Sequence, residues 1–176
     1  MHEYLRSKKR PISFQRLGKY ALQAGLLFLF LFNGSLVNAQ ILAVNTIQNL
    51  SFGTFSQGAI GGTISVSNTG VAATTGTVVS LTFGGINDVL PAIFEVEAPV
   101  GTVVSVSNGP DANLTGNNGG TMILHLGSSN PMTPFAVANQ TGRTYINIGG
   151  TLTIGNQSST PPGAYSGTFY ITINNE

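Results

Sequence analysis

From residue 40 onward, short apolar segments alternate with glycine, proline and asparagine, and none exceeds seven residues without one of these three residue types. Helices usually run for about 8–20 residues with few such breakers, whereas strands need only about 4–8 residues. Val, Ile, Thr, Phe and Tyr fill the segments, and these residue types favour strands. The pattern therefore predicts an all-β domain.

The predicted strands lie between the breakers, and three stretches rich in Gly, Asn, Ser and Pro are predicted as loops. The loops are Ser107–Gly120, Ser128–Pro134 and Asn156–Gly163, and a tight turn is predicted at Pro99–Val100–Gly101. The strands are Ile41–Gln48, Leu50–Phe55, Gly62–Ser67, Gly76–Phe83, Ala92–Ala98, Thr102–Ser107, Thr121–Leu126, Thr144–Ile154 and Ala164–Asn174.

Several of these segments alternate apolar and polar residues. Phe94 and Val96 alternate with Glu95 and Glu97, and Thr168–Ile173 alternates in the same way. A period of two predicts an antiparallel sheet with one buried and one solvated face. Two such sheets packed face to face give the predicted fold, a single immunoglobulin-like antiparallel β-sandwich.

The first 39 residues follow a different pattern, and we interpret Met1–Ala39 as a secretory signal peptide. A basic segment is followed by the apolar stretch Ala21–Phe32, and small residues precede a predicted cleavage site between Ala39 and Gln40. The alternative is an uncleaved membrane anchor. A spanning helix needs about 20 apolar residues, and Asn33–Ser35 ends this stretch earlier, which favours cleavage.

Charged residues make up 7% of the chain, against about 25% in typical soluble domains. Six of the seven basic residues lie in the first twenty positions, so the domain from Gln40 to Glu176 keeps Arg143 against five carboxylates, a net charge of −4. The basic surface that nucleic-acid binding requires is therefore absent. Without cysteine there is neither a disulfide framework nor a lipidated cysteine. We expect export to the periplasm, cell surface or medium, with no membrane span after cleavage.

A set of short motifs follows a fixed order along the domain. The motifs are Leu50–Phe55, Gly61–Val66, Gly76–Leu81, Ala92–Val96, Gly101–Ser107, Thr121–Met122, Gly149–Gly155 and Gly163–Phe169. Together they resemble a known bacterial family, the domain of unknown function 4402. The resemblance implies an exported domain similar to fimbrial subunits and other immunoglobulin-like envelope domains, and it brings no catalytic or binding residues with it. Met132–Arg143 departs from the family pattern as an insertion-like stretch.

Two constellations of titratable residues are candidates for catalysis. His125 could join a serine and either Asp88 or Asp111 in a Ser–His–Asp arrangement. Glu95 and Glu97 project from one side of a predicted strand, about 6–7 Å apart, a spacing that glycosidase carboxylates also show. We interpret His125 as a solvent-facing strand residue and the two glutamates as charges that keep a face wet. The sequence thus predicts a protein that is not an enzyme.

The segment Asp111–Gly116 resembles the opening of a calcium-binding loop, with oxygen-bearing side chains at alternate positions. The twelfth position, where such a loop carries a bidentate glutamate, is Met122. We therefore interpret the segment as part of a hairpin loop. No metal site and no cofactor are predicted.

The favoured function is that of a structural or adhesive surface protein, a pilin-like subunit that assembles by β-strand addition to copies of itself or to another envelope protein. Gln40–Gln48 would leave its own domain and complete a neighbour's sheet. The candidate donor residues are Ile41, Leu42, Val44 and Ile47, which are apolar on both faces of the segment. An ordinary first strand within its own sandwich fits the same pattern.

The alternative function is a monomeric secreted module that binds a glycan or a host surface. Its contacts would lie in the predicted loops Ser107–Gly120 and Ser128–Asn139, since sandwich domains present functional loops at their ends. Tyr145, Tyr165 and Tyr170 are the candidate aromatic platforms, and the chain has no tryptophan.

Overall fold

The computed structural model describes residues 42–81 and 88–176, and these residues form strands, turns and loops with no helix. The all-β class and the antiparallel sheets are confirmed. The predicted signal peptide, its cleavage site and Ile41 lie outside the described residues, as does the end of the predicted strand Gly76–Phe83. Within the described ranges, no helix is long and apolar enough to cross a membrane.

Thirteen antiparallel strands account for the regular structure of the described residues. They are β1 (Ala43–Gln48), β2 (Ser51–Phe52), β3 (Thr54–Val66), β4 (Ala72–Leu81), β5 (Val89–Leu90), β6 (Ala92–Glu97), β7 (Val103–Asn108), β8 (Ala112–Gly116), β9 (Thr121–Asn130), β10 (Phe135–Ala136), β11 (Arg143–Ile154), β12 (Tyr165–Ser166) and β13 (Ile171–Asn175).

The largest sheet has eight strands and is organised around β11. Its main order is β1-β6-β11-β9-β8-β12, and the β3–β4 hairpin joins it through β11. The first half of β11, Arg143–Ile148, pairs with β6, and the second half, Gly150–Ile154, pairs with β3. The opposite edge of β11 pairs with β9. One long strand thus holds two antiparallel pairs, β1–β6 and β3–β4, one after the other along a single edge.

A second sheet, β10-β7-β13, packs against the large one, and a short pair, β2-β5, lies beside them. Val104 and Val106 of β7 belong to the same buried cluster as the inner face of the large sheet. The rings of Phe94 and Phe169 meet edge to face at 6.4 Å. The most completely buried side chains of this single core are Ile64, Val96, Val104, Val137, Ile146, Ile148, Leu152 and Thr160.

The core positions predicted for β6 and the predicted turn after it are confirmed. Phe94 and Val96 are buried in the core, and Thr102 N donates to Pro99 O at 3.0 Å to close the turn. Gly101 has a φ of +88°, as the third position of a type II turn requires. Glu97 is exposed, but Glu95 is not solvated as expected, since only 8% of its surface is accessible.

The prediction of Ser107–Gly120 as one loop is wrong, because β8 lies inside it and pairs with β9. Cross-strand pairing and the packing of Ala112 and Leu114 against the core outweigh the weak strand preference of Asp, Asn and Gly. Other boundaries also differ. β3 continues through Gly58 and Gly61, where we predicted a break between two strands, and the last predicted strand divides into β12 and β13.

Candidate functional site

The strand β1 forms one edge of the large sheet. It pairs with β6 from Ala43↔Glu97 to Gln48↔Ile93, and no other described strand pairs with its second edge. It carries no charge and no proline, although natural edge strands commonly carry one or the other as protection against pairing with other chains. β1 therefore offers an unprotected row of backbone donors and acceptors.

The candidate donor residues that the structure describes lie on or beside β1. Val44 is 44% exposed and Ile47 is 56% exposed, while Leu42, just before the strand, packs partly against the core. The four central residues Val44–Ile47 are all exposed. β1 is thus attached to its own domain through backbone pairing with β6 and contributes little to the core.

The outer face of β6 and β11 carries a polar cluster beside this edge. Tyr145 lies opposite Glu95, and a hydrogen bond to the Glu95 carboxylate, together with that negative charge, raises the pKa of Tyr145 above its ordinary value. Arg143 lies opposite Glu97, with Nη2 at 3.7 Å from Oε2. Each glutamate therefore has a partner of its own. The sequence gives no signal for the pairing of Tyr145 with Glu95, because it depends on the register between two strands that are distant in the chain.

Of the two possible carboxylate partners of His125, the structure selects Asp111. His125 Nδ1 lies 2.7 Å from Asp111 Oδ1, and both side chains are more than half exposed. The hydrogen bonds of the described residues connect His125 to no serine. The residue occupies the solvent-facing position on β9 that the alternation predicted, between buried Leu124 and Leu126.

The resemblance of Asp111–Gly116 to a calcium loop does not hold in three dimensions. Asp111 directly precedes β8, and Asn113 and Thr115 lie within it, so successive members of this set are about 6.8 Å apart at the spacing of alternate strand residues. Calcium ligands must converge to within about 2.6 Å of one ion. No group of three or more His, Asp or Glu side chains among the described residues could hold a metal.

The three tyrosines proposed as aromatic platforms do not lie together in loops. Tyr145 lies within β11 and is 54% exposed, whereas Tyr170 precedes β13 and is 71% exposed. Tyr165 begins β12 and is half-buried against the core. Met132–Arg143 contains β10, which pairs with β7, so this stretch extends the second sheet. Of the three tyrosines, Tyr165 lines a concave surface.

That surface is an open groove of about 710 Å³, here named the β3–β12 groove. One wall is the segment Leu50–Gln57, the other is Pro161–Tyr165, and Gln157 lies at one end. The floor is formed by Leu114, Met122 and Leu152. Sequence analysis missed the groove, because its walls are more than 100 residues apart in the chain.

Comparison with known proteins gives one match. A family model described as domain of unknown function (DUF4402) matches residues 42–175. No curated protein and no solved structure matches the chain.

Proposed function

The chain belongs to the domain of unknown function (DUF4402) family, and from this premise we propose that it is an exported, non-catalytic structural or adhesive protein of the cell surface. In this proposal it is a pilin-like subunit, and copies join by exchanging β1. The β1 of one copy leaves its own β6 and pairs with the β6 of the next copy. Each subunit then gives one strand and receives one, so the contact propagates into a chain.

One observation carries the proposal: β1 is an exposed, uncharged edge strand that is paired to its own domain through β6 alone among the described strands. Releasing it uncovers little apolar surface, because its four central residues are already exposed. Pairing with a neighbour's β6 restores the same hydrogen bonds in the same register. The exchange is therefore nearly neutral in contact energy, and concentration decides its extent.

The low charge of the surface supports the same proposal. The described residues include one arginine, no lysine and five carboxylates, spread over a domain coated with Thr, Ser and Asn. Little electrostatic repulsion opposes the close stacking of copies. Export is supported by the sequence pattern of residues 1–39.

An engineered disulfide tests the exchange directly, because the chain has no cysteine of its own. Ala43 and Glu97 are directly opposite each other on β1 and β6. Cα atoms of such a pair lie about 4.5–5.5 Å apart, within the range that a disulfide spans. The variant Ala43→Cys/Glu97→Cys is expressed as the full chain, exported, purified as the cell processes it and oxidised after assembly.

We expect a ladder of covalent multimers on a non-reducing gel, together with multimers of the unmodified protein in size-exclusion chromatography with light scattering. The matched control is Thr63→Cys/Thr75→Cys, on a facing pair within the β3–β4 hairpin, which should cross-link only within one chain. Multimers in which the 43–97 disulfide stays within single chains would refute strand exchange. A strictly monomeric unmodified protein would refute assembly altogether.

The alternative function, a monomeric glycan- or surface-binding module, has weaker support in the form first considered. The strands β7 and β8 take up half of the segment Ser107–Gly120, and the short connections 109–111 and 117–120 remain. Few residues of this segment therefore remain in loops that could contact a ligand.

A further inference from the structure

We propose that the β3–β12 groove is a binding site for a neutral carbohydrate. The site is separate from the β1 edge and does not depend on strand exchange. Ligand sites in proteins are typically clefts of about 300–1,000 Å³ that combine apolar walls with a few polar groups, and the volume of about 710 Å³ lies within that range.

The absence of charge along the groove defines the class of ligand. None of the residues that line it is acidic or basic. An ionic ligand would lose hydration there without gaining a counter-charge, which is costly in a concave site. Polar groups are nevertheless present, since Ser51, Thr54, Gln57 and Gln157 contribute hydroxyls and amides to the lining. These groups suit a ligand that is rich in hydroxyls and carries no charge.

Tyr165 supplies a fixed aromatic surface at one wall. Its hydroxyl donates to Pro161 O at 2.7 Å, and its ring lies directly on the backbone of Gly116. A Cβ atom at position 116 would come within 2.7 Å of the ring, so only glycine permits this approach. The ring is therefore positioned before any ligand arrives, which reduces the entropy lost on binding.

The apolar part of the groove consists of partly buried side chains that pack against the hydrophobic core. Leu50, Phe55 and Leu114 pack partly against the buried cluster and also line the groove. Sugar rings present C–H faces as well as hydroxyl edges, so a lining of this mixed character matches both surfaces of a pyranose.

An added β-strand is the competing occupant, and the hydrogen bonds at one end of the groove disfavour it. Gln157 Nε2 donates to the backbone carbonyl of Gln57 at 3.4 Å. Gln57 Nε2 in turn donates to Gly155 O at 2.9 Å and to Thr160 Oγ1 at 2.8 Å. A strand entering the groove needs a continuous row of free backbone groups along β3. Because Gln157 occupies the backbone carbonyl of Gln57, the row of free backbone groups along β3 is interrupted at this residue.

The test is a titration of the full chain, exported and purified as the cell processes it, with neutral oligosaccharides of glucose, N-acetylglucosamine, galactose, mannose and xylose. Calorimetry measures affinity, and ¹⁵N NMR identifies the residues whose shifts change. The blocking variant is Ala164→Trp, at an exposed position on the rim of the groove. Its matched control is Ala73→Trp, at an exposed position on β4.

We expect at least one oligosaccharide to bind, with shifts at Gln57 and Tyr165, and Ala164→Trp to abolish binding while Ala73→Trp does not. Tyr165→Ala should weaken binding by about tenfold or more, as loss of a central aromatic contact does. Tyr170→Ala, at an exposed tyrosine outside the groove, should leave affinity unchanged.

Three results would each overturn the proposal. The first is that no oligosaccharide of the panel binds to the folded protein. The second is binding that persists in Ala164→Trp. The third is binding of a synthetic peptide with the sequence Gln40–Gln48 that Ala164→Trp prevents, because the groove would then accept a strand. None of these results depends on the disulfide ladder, so this proposal and strand exchange can fail separately.

Discussion

A pair of glycine-to-alanine substitutions can measure how closely β3 approaches the end of β11. Gly61 and Gly101 both have positive φ, +74° and +88° respectively, so alanine at either position must adopt the left-handed conformation at a cost of about 1–2 kcal/mol. At Gly101 the new Cβ atom meets nothing within 4 Å. At Gly61 it overlaps the backbone carbonyls of Ile154 and Gly155. Backbone atoms cannot rotate away as side-chain ends do, so the strands must separate.

The magnitude follows from adding this steric term to the conformational one. Forced overpacking typically costs about 1–3 kcal/mol. Gly101→Ala should therefore lower the free energy of unfolding by about 1–2 kcal/mol, and Gly61→Ala by about 2–5 kcal/mol. Urea unfolding followed by far-ultraviolet circular dichroism gives both values by linear extrapolation. Equal losses, within about 0.5 kcal/mol, would show that Gly61 is not in close contact with β11 and would refute the reasoning.

Four further substitutions test burial, the tyrosine–glutamate pair and the exposed histidine. Ile146→Ala should cost about 2–5 kcal/mol in urea unfolding, because Ile146 is fully buried, whereas Ile60→Ala, at a site 76% exposed, should cost less than about 0.5 kcal/mol. Glu95→Gln should lower the raised pKa of Tyr145 toward its ordinary value, and an unchanged phenolate absorbance titration would contradict the assigned cause. The raised pKa also means that the stability from this pair is complete below the unfolded-state pKa of Tyr145 and is lost as pH rises through the folded-state pKa. His125→Ala should change the unfolding free energy by less than about 0.5 kcal/mol, since both side chains of the His125–Asp111 contact are exposed, and a larger loss would give this contact a structural role.

The sequence predicted those features that depend on local pattern. The alternation of Phe94 and Val96 with polar residues placed them correctly in the core, and Gly101 marked a turn that needs positive φ. The family resemblance was confirmed over residues 42–175. The immunoglobulin-like arrangement of strands stays a prediction.

The local sequence pattern could not predict features that depend on pairing between strands that are distant in the chain. β8 was predicted as loop because Asn and Gly dominate the segment Ser107–Gly120 that contains it, yet pairing with β9 makes it a strand. Glu95 was predicted to be solvated, but it lies between Asn45 and Tyr145 on neighbouring strands. The β3–β12 groove likewise exists only because Leu50–Gln57 and Pro161–Tyr165 come together in the fold.

The position of β11 in the chain has a consequence for how the protein reaches its fold. Its three partners, β3, β6 and β9, all precede it, so each is synthesised before the strand that pairs with it exists. Domains dominated by such non-local pairing typically fold in about milliseconds to seconds. During that time three strand edges remain open, and intermolecular pairing competes with the arrival of β11. The yield of refolding should therefore fall as protein concentration rises. Pairing between the open strand edges of different chains thus limits the amount of folded protein before any native contact between copies can form.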